Sequence, residues 1–291
     1  MSILINLNGK YVAKDDAKIS IFDHGLLYGD GVFEGIRAYN GIVFRLDRHI
    51  KRLYNSAKAI MLTPAIPPDE MAKQIVDTIR KNNLKDAYIR AVITRGIGDL
   101  GLDPDKCPIS TYFIIADKIA LYPEEFYEKG LNVVTVPTRR NAPETLNPRI
   151  KTLNYLNNIL AKIEAKQSGA NEAIMLTAEG YVAECTGDNL FIIQDGTLIT
   201  PPIHMGILKG ITREAVIELA RKNNIPVKEM VFTRFDVYIA DEMFLTGSAA
   251  EIVPVINVDR RKIGTGKPGA ITKMLIKQFR ELAKNDGTKV Y

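Results

Sequence analysis

An amine, a carboxylate and two runs of small residues carry the chemistry that this chain's sequence offers. Lys151 stands in Asn147-Pro148-Arg149-Ile150-Lys151-Thr152-Leu153-Asn154-Tyr155, where a turn is expected to run into a helix. Glu184 follows in Ala183-Glu184-Cys185-Thr186-Gly187-Asp188-Asn189, at the end of a strand-like run. Gly210-Ile211-Thr212-Arg213-Glu214 and Thr246-Gly247-Ser248-Ala249-Ala250-Glu251 come after it. A lysine can attack an aldehyde once desolvation keeps part of it neutral near pH 7. A carboxylate facing a ring nitrogen keeps that nitrogen protonated and turns the ring into an electron sink. Backbone N–H groups at a helix start, or where a strand runs out into small residues, suit a phosphate. Together these are the parts needed to hold a phosphorylated aldehyde cofactor.

Each piece alone has a plainer reading. An isolated lysine at a helix start is normally solvated. Glu184 by itself would pass for a strand-end surface residue. Thr212 would pass for a helix N-cap, although Ala215 stands where a capping box needs Glu or Gln. Tyr155, four residues after Lys151, is expected on the same helix face, where a phenol can hydrogen-bond a ring oxygen. Arg52 adds a phosphate counter-charge if its helix faces the site. Cys185 reads as a small packing residue, with no basic neighbour in sequence to activate it. His24 reads as a residue that orders its glycine-rich loop. His24, His49 and His204 show no metal-ligand spacing, so no metal site is expected. Neither small-residue run has a Walker or Rossmann spacing, which argues against an NTPase or a nicotinamide enzyme.

The elements that must position these residues follow from periodicity and turn chemistry. Asn40-Gly41 between two apolar runs predicts a hairpin. A helix after Asp47 carries Ile50, Leu53, Tyr54, Ala57 and Met61, and Pro67-Pro68-Asp69 opens another with Met71, Ile75 and Ile79 on one face. Strands at 87–94 and 110–116 flank the loop from Arg95 to Pro104. Leu153, Leu156, Ile159, Leu160 and Ile163 describe the helix after Lys151, and strands around Ile174, Val182, Leu190 and Leu198 read as a meander. Further helices are expected at about 212–222 and 268–284. The fold class is α+β, with a small domain over residues 1–120, a linker over 121–130 and a larger domain over 131–291.

Composition sets the bounds. The 291 residues are 46% apolar and 25% charged, ordinary for a globular protein, and the net charge of +5 is spread among interleaved acids and bases. Basic residues are not grouped with aromatic ones, so nucleic-acid binding is not expected. No apolar run approaches the ~18–20 residues that cross a bilayer, and the first residues lack an export signal, so neither a membrane partner nor secretion is expected. Two cysteines make no disulfide framework; a cytoplasmic location is expected.

Taken in order, these residues resemble the branched-chain amino acid aminotransferases of the fold type IV (class IV) pyridoxal-phosphate enzymes. The resemblance runs from Tyr28-Gly29-Asp30-Gly31-Val32-Phe33-Glu34-Gly35-Ile36-Arg37 through Tyr88-Ile89-Arg90 and the 95–104 loop. It continues through Lys151, Glu184-Cys185-Thr186-Gly187-Asp188-Asn189 and Gly210-Ile211-Thr212-Arg213-Glu214 to Gly247-Ser248-Ala249-Ala250-Glu251. It implies a smaller N-terminal α/β domain and a larger domain with a barrel-like β core. It further implies pyridoxal 5′-phosphate held on Lys151 as a Schiff base, with Glu184 at the ring nitrogen and Tyr155 at the ring hydroxyl. Arg52, the Ile211 and Thr212 backbone and Ser248 would hold the phosphate, Ser248 standing where relatives often carry threonine. Tyr28, Phe33, Gly35, Tyr88, Arg90 and Tyr122 would line the substrate pocket, with Gly247 and Ala249 near the α-carboxylate.

The activity implied is ping-pong transamination of leucine, isoleucine and valine with 2-oxoglutarate, by a homodimer or higher homo-oligomer. D-amino-acid aminotransferases of the same fold generally carry a second arginine and a histidine soon after the residues matching Arg95-Gly96. This loop has neither. A 4-amino-4-deoxychorismate lyase shares the lysine and glutamate, but Tyr88-Ile89-Arg90 and Gly98-Asp99-Leu100-Gly101 argue against it. A non-catalytic scaffold would have no use for Lys151, Tyr155 and Glu184 together.

Overall fold

The computed structural model describes residues 3–118 and 122–291, so the expected boundary at residues 120 and 121 lies outside the described residues. The chain divides into two compact units, and not by a single cut. Unit 1 is Met1–Ile119 with Ile150–Asn154 and Leu282–Tyr291; unit 2 is Ala120–Arg149 with Tyr155–Glu281. The contiguous ranges read from the sequence are corrected in two places, and the cause is backbone pairing. Phe33 N–H donates to the Lys151 carbonyl at 2.9 Å and Leu153 N–H to Gly31 O at 3.0 Å, which ties the Lys151 segment into unit 1. Gly287–Lys289 pairs with Ile42–Phe44, which ties in the C-terminal residues.

Unit 1 begins with β1 (Leu4–Leu7), β2 (Lys10–Ala13), α1 (His24–Tyr28), β3 (Gly31–Tyr39) and β4 (Ile42–Phe44). It continues with α2 (Leu46–Ala59), α3 (Pro68–Lys81), β5 (Ala87–Thr94) and β6 (Thr111–Asp117). Asn40 and Gly41 both take positive φ, as the expected two-residue hairpin requires. β4 pairs with β3 only at Ala38 and Tyr39, and Val32 bridges to Thr152 further along the same strand. Val32, Ile36, Ile89 and Ile93 join Ile50 and Leu53 of α2 and Met71, Ile75 and Ile79 of α3 in one buried core. Met61 is a correction. The helix ends at Ala59, the backbone turns to φ 50° at Met61, and that side chain is exposed rather than on the buried face.

Unit 2 holds α4 (Glu125–Lys129), β7 (Leu131–Thr135), α5 (Leu156–Gln167), β8 (Glu172–Leu176), β9 (Val182–Cys185), β10 (Asn189–Gln194), β11 (Thr197–Thr200), α6 (Ile211–Lys222) and β12 (Val227–Glu229). After these come α7 (Arg234–Tyr238), β13 (Glu242–Gly247), β14 (Glu251–Val258), β15 (Arg261–Lys262) and α8 (Ala270–Ala283), whose last two residues already belong to unit 1, as does β16 (Gly287–Lys289). The strands of unit 2 form one sheet in the order β12-β11-β10-β13-β14-β7-β8-β9, with β15 on β14. β9 is the last strand of that path, yet only residues 186–188 separate it from β10 in the middle, and Cys185 N–H donates to Asp188 O at 2.8 Å. A connection that short brings the end of the sheet round to β10, giving the barrel-like core. The meander expectation is corrected accordingly, since β10 pairs with β11 and β13, and β9 with β8.

α5 also departs from expectation. It starts at Leu156, so Leu153 lies outside it, and Leu156, Ile159, Leu160 and Ile163 are exposed while Asn158, Ala161 and Ala165 are buried. The apolar stripe is real, but it faces away from the unit's core. No helix among the described residues is long and apolar enough to cross a membrane.

Candidate active site

β3 and β5 sort unit 1's chemistry onto two faces. Side chains alternate along a strand, and directly opposed residues of an antiparallel pair share a face. Gly35 pairs with Arg90 and Arg37 with Tyr88, so Phe33, Gly35, Tyr88 and Arg90 lie on the face away from α2 and α3. Gly35 lets the Tyr88 ring lie close to β3, since a Cβ would stand 2.3 Å from the Tyr88 hydroxyl and push it aside. Arg90 Nη2 donates to that hydroxyl at 3.1 Å, and Arg90 Cζ lies 4.5 Å from the Phe33 ring centroid. Lys151 Nζ lies 4.6 Å from the same ring, within the range of a cation–π contact. Lys151 is held by its backbone: its N–H donates to Ser56 Oγ at 3.1 Å and its carbonyl accepts from Phe33. Tyr28 ends α1; its ring meets His24 edge-on at 5.0 Å, and its hydroxyl accepts from Gly101 N–H at 3.0 Å. His24 was expected to order its own glycine-rich loop; it opens α1 instead, and its Nε2 lies 2.9 Å from Asp99 O of the 95–104 loop.

On the opposite face, parity places Glu34 beside Val32 and Ile36. It is fully buried and accepts from Arg52 and His49 of α2. Arg52 therefore sits in unit 1 with one edge of its guanidinium against a carboxylate.

Unit 2 holds the acid and both small-residue runs, and Asn189 joins them. Glu184 is buried at the end of β9. Its Oε1 accepts from Arg140 Nε at 2.9 Å, and its Oε2 from Asn189 Nδ2 at 3.1 Å and Leu208 N–H at 3.0 Å. Three donors occupy a group with about four acceptor sites, which leaves room for one more N–H. Arg140 Nη1 also donates to Asn157 Oδ1 at 3.2 Å, at the start of α5. Asn189 pairs across the sheet with Thr246, just before Gly247 and Ser248. Gly210 lies against the Asn189 side chain so closely that a Cβ would fall 2.0 Å from Oδ1.

α6 begins after Gly210 with no side chain capping it, and Ile211 and Thr212 are buried there. Thr212 is thus not the cap that the sequence left open. Nearby in the fold, Thr246 Oγ1 is buried without a hydrogen-bond partner. Gly247 stands where a Cβ would be 2.0 Å from Asp188 Oδ1; Ser248 and Ala249 follow in the turn and are half-buried. Tyr122 packs on the core of unit 2, its ring 6.2 Å from Phe126, and burial followed by the Asp188 and Glu172 carboxylates pushes its phenol well up. Cys185 is buried, and burial followed by Glu172 and Asp188 pushes its thiol up, in keeping with a packing role.

Of the residues singled out in the sequence, Tyr28, Phe33, Gly35, Arg52, Tyr88, Arg90 and Lys151 belong to unit 1. Tyr122, Tyr155, Glu184, Ile211, Thr212, Gly247, Ser248 and Ala249 belong to unit 2. The helical spacing argued for Lys151 and Tyr155 does not hold. Lys151 is paired to β3, and Tyr155 is the N-cap of α5. Sequence reading gave no role to Glu34, His49, Arg140 or Asn189. Glu34 had a signal, as a carboxylate on the buried parity of an apolar strand. Arg140 had none, lying between prolines in a stretch without periodicity.

Unit 1 presents an amine on an aromatic face, and unit 2 a buried carboxylate paired with a guanidinium and an uncapped helix start. The model of the amino-transferase class IV family matches residues 31–258, and the chain belongs to that family. A Methanocaldococcus jannaschii protein provisionally named branched-chain-amino-acid aminotransferase is 53% identical over 287 residues, spanning 99% of both chains. The T.th. branched-chain amino acid aminotransferase, solved with pyridoxamine 5′-phosphate, superposes with a TM-score of 0.96 at 36% identity, covering 100% of this chain and 99% of that one. That enzyme has also been solved with N-(5′-phosphopyridoxyl)-L-glutamate and with 4-methylvaleric acid. The Thermoproteus uzoniensis branched-chain aminotransferase, solved with norvaline, has a TM-score of 0.93 at 39% identity, with full coverage of both chains.

Proposed function

We propose that this chain transfers the amino group of leucine, isoleucine and valine to 2-oxoglutarate, with pyridoxal 5′-phosphate as its cofactor. The observation that carries the reading is Glu184, a buried carboxylate fixed by three donors with one acceptor site to spare. It occurs in a chain similar over its full length to enzymes solved with a glutamate adduct, 4-methylvaleric acid and norvaline.

When bound, the cofactor supplies an electron sink through its protonated ring nitrogen. Glu184 would accept from that nitrogen, and Tyr155 would meet the ring hydroxyl. The uncapped N–H groups of Ile211 and Thr212, with Ser248 and Arg52, would take the phosphate. The buried, unpartnered Thr246 hydroxyl, two residues before Ser248, supports a polar ligand at that end of β13.

Lys151 anchors the cofactor at rest. Its Nζ would take the α-proton of the L-amino acid, and the Phe33 ring 4.6 Å away would stabilise the ammonium so formed. Phe33, Tyr88 and Tyr122 are apolar walls for a branched aliphatic chain, and Tyr28 and Gly35 complete the pocket. Arg90, held by the Tyr88 hydroxyl, binds the γ-carboxylate of the second substrate. Gly247 and Ala249 bound the α-carboxylate. The 2-oxo acid leaves before 2-oxoglutarate enters, so the kinetics are ping-pong.

The reading includes a homodimer or higher homo-oligomer in the cytoplasm. Ile21, Leu26, Ile97, Leu100, Leu102 and Ile109 of unit 1 are exposed, as is the α5 stripe, and apolar surface of that kind favours self-association. Cys107 and Cys185 are free, which suits a reducing compartment.

A half-reaction tests the activity. The holoenzyme, mixed with one amino acid at a time, should convert to its pyridoxamine form with L-leucine and L-glutamate and stay unchanged with D-alanine. Conversion by D-alanine and not by L-leucine would overturn the reading.

A further inference from the structure

Glu34 occupies a position that an apolar side chain would fill at less cost. It shares its face of β3 with Val32, Ile36 and Ala38, and it has no exposure to solvent. A buried carboxylate must be paired, and this one is paired three times. Its Oε1 accepts from Arg52 Nε at 2.6 Å, and its Oε2 from Arg52 Nη2 at 2.8 Å and His49 Nδ1 at 2.7 Å. His49, Arg52 and Ser56 are spaced so that they line one face of α2. Ser56 on that face accepts from the Lys151 backbone. One stretch of helix therefore touches the carboxylate, the guanidinium and the main chain of the lysine.

The charge states follow from the surroundings. Burial pushes the Glu34 carboxyl up, but Arg52 and then His49 outweigh it and hold it well below the usual carboxylate range. Burial pushes His49 down against the pull of Glu34, and Arg52 and Lys151 push it further the same way. At neutral pH the trio is an anion, a cation and a neutral imidazole donating from Nδ1.

We propose that Glu34 is a positioning residue of the cofactor site, whose two-pronged pair with Arg52 fixes the plane of the guanidinium that receives the cofactor phosphate. His49 in turn fixes the carboxylate. The proposal rests on the reading of Arg52 as a phosphate ligand. An arginine side chain loses rotamer entropy when it is fixed on a ligand, and a guanidinium already anchored along its Nε–Nη2 edge has less of it left to lose on binding. Charge and geometry make opposite demands here. Glu34 offsets part of the attraction between Arg52 and a phosphate dianion, so by charge alone its neutralisation would tighten phosphate binding. By geometry its neutralisation releases Arg52 and loosens binding.

The test is a titration of the apoenzyme with pyridoxal phosphate and, separately, with pyridoxal, which lacks the phosphate. The proteins compared are the wild type, Glu34→Gln, Arg52→Ala and the double variant, with the melting temperature of each apoenzyme recorded. Glu34→Gln is expected to weaken pyridoxal phosphate on the order of 10-fold, the size of a lost charge-assisted hydrogen bond, and to leave pyridoxal nearly unchanged. In the Arg52→Ala background it should weaken neither ligand further. If Glu34→Gln binds pyridoxal phosphate as tightly as wild type or more so, or loses both ligands equally, the proposal fails and the Arg52 reading stands. If Arg52→Ala binds pyridoxal phosphate like the wild type, the Arg52 reading fails and takes the proposal with it. Should Glu34→Gln not fold, Glu34→Asp keeps the charge but shortens the reach. It is expected to weaken pyridoxal phosphate selectively, and undiminished binding would overturn the proposal.

Discussion

The two units place opposite charges by mirror-image means. In unit 1 a buried acid holds a base: Glu34 grips Arg52 at 2.6 and 2.8 Å, with its own side chain fully buried and that of Arg52 13% exposed. In unit 2 a buried base holds an acid: Arg140 grips Glu184 at 2.9 Å, with both side chains almost equally buried. The difference lies in the held group. Arg52 keeps some access to solvent, as suits a residue that reaches for a ligand, while Glu184 is fixed further by Asn189 and the Leu208 N–H. In both units the residue proposed for the cofactor is immobilised by an opposite charge. A buried pair adds little net stability over apolar packing, but breaking one side of it leaves an uncompensated charge.

Arg140→Met breaks the unit 2 pair outright. Both partners are buried, so the apoenzyme should lose about 3–5 kcal/mol in urea unfolding; a variant as stable as the wild type would show that Glu184 does not depend on Arg140. The unit 1 pair should answer more gently, through pH. His49 is neutral in the folded protein, whereas in the unfolded chain it takes up a proton below its ordinary value of 6.5. Stability should therefore fall as pH drops through 6.5, by up to about 1.4 kcal/mol per pH unit from this one group. Glu34 works in a lower window. Its folded value is depressed, so its contribution is present above the ordinary carboxylate value of 4.5 and is lost below it. His49→Asn keeps a side-chain N–H for Glu34 but does not titrate, so its stability should vary less between pH 7 and 5. An unchanged slope would remove His49 from the unit 1 clamp.

Much of this was legible in the sequence, and the exceptions share a cause. The hairpin at Asn40-Gly41, the faces of α2 and α3, and strand β5 follow from local pattern, and so do the amine, the acid and the two small-residue runs. Pattern along the chain cannot show a short segment pairing with a distant strand. Lys151 therefore looked like the start of a helix when it lies outside any helix, its carbonyl hydrogen-bonded to β3. The α5 stripe had the right period but the wrong destination, because periodicity marks a face without saying what covers it. Arg140 and Asn189 act on Glu184 through tertiary contacts, and Arg140 carries no local signature. Glu34 was within reach, since a carboxylate in phase with Val32 and Ile36 requires a buried partner.

The most direct measurement concerns the amine itself. L-leucine incubated in deuterium oxide with the holoenzyme and no oxo acid should exchange its α-hydrogen for deuterium, followed by proton NMR. Lys151→Ala, loaded with the same cofactor, should lose that exchange by on the order of 10⁴-fold, the upper range for removal of a general base. Exchange by Lys151→Ala at the wild-type rate would contradict the assignment of Lys151 as the group that moves the proton.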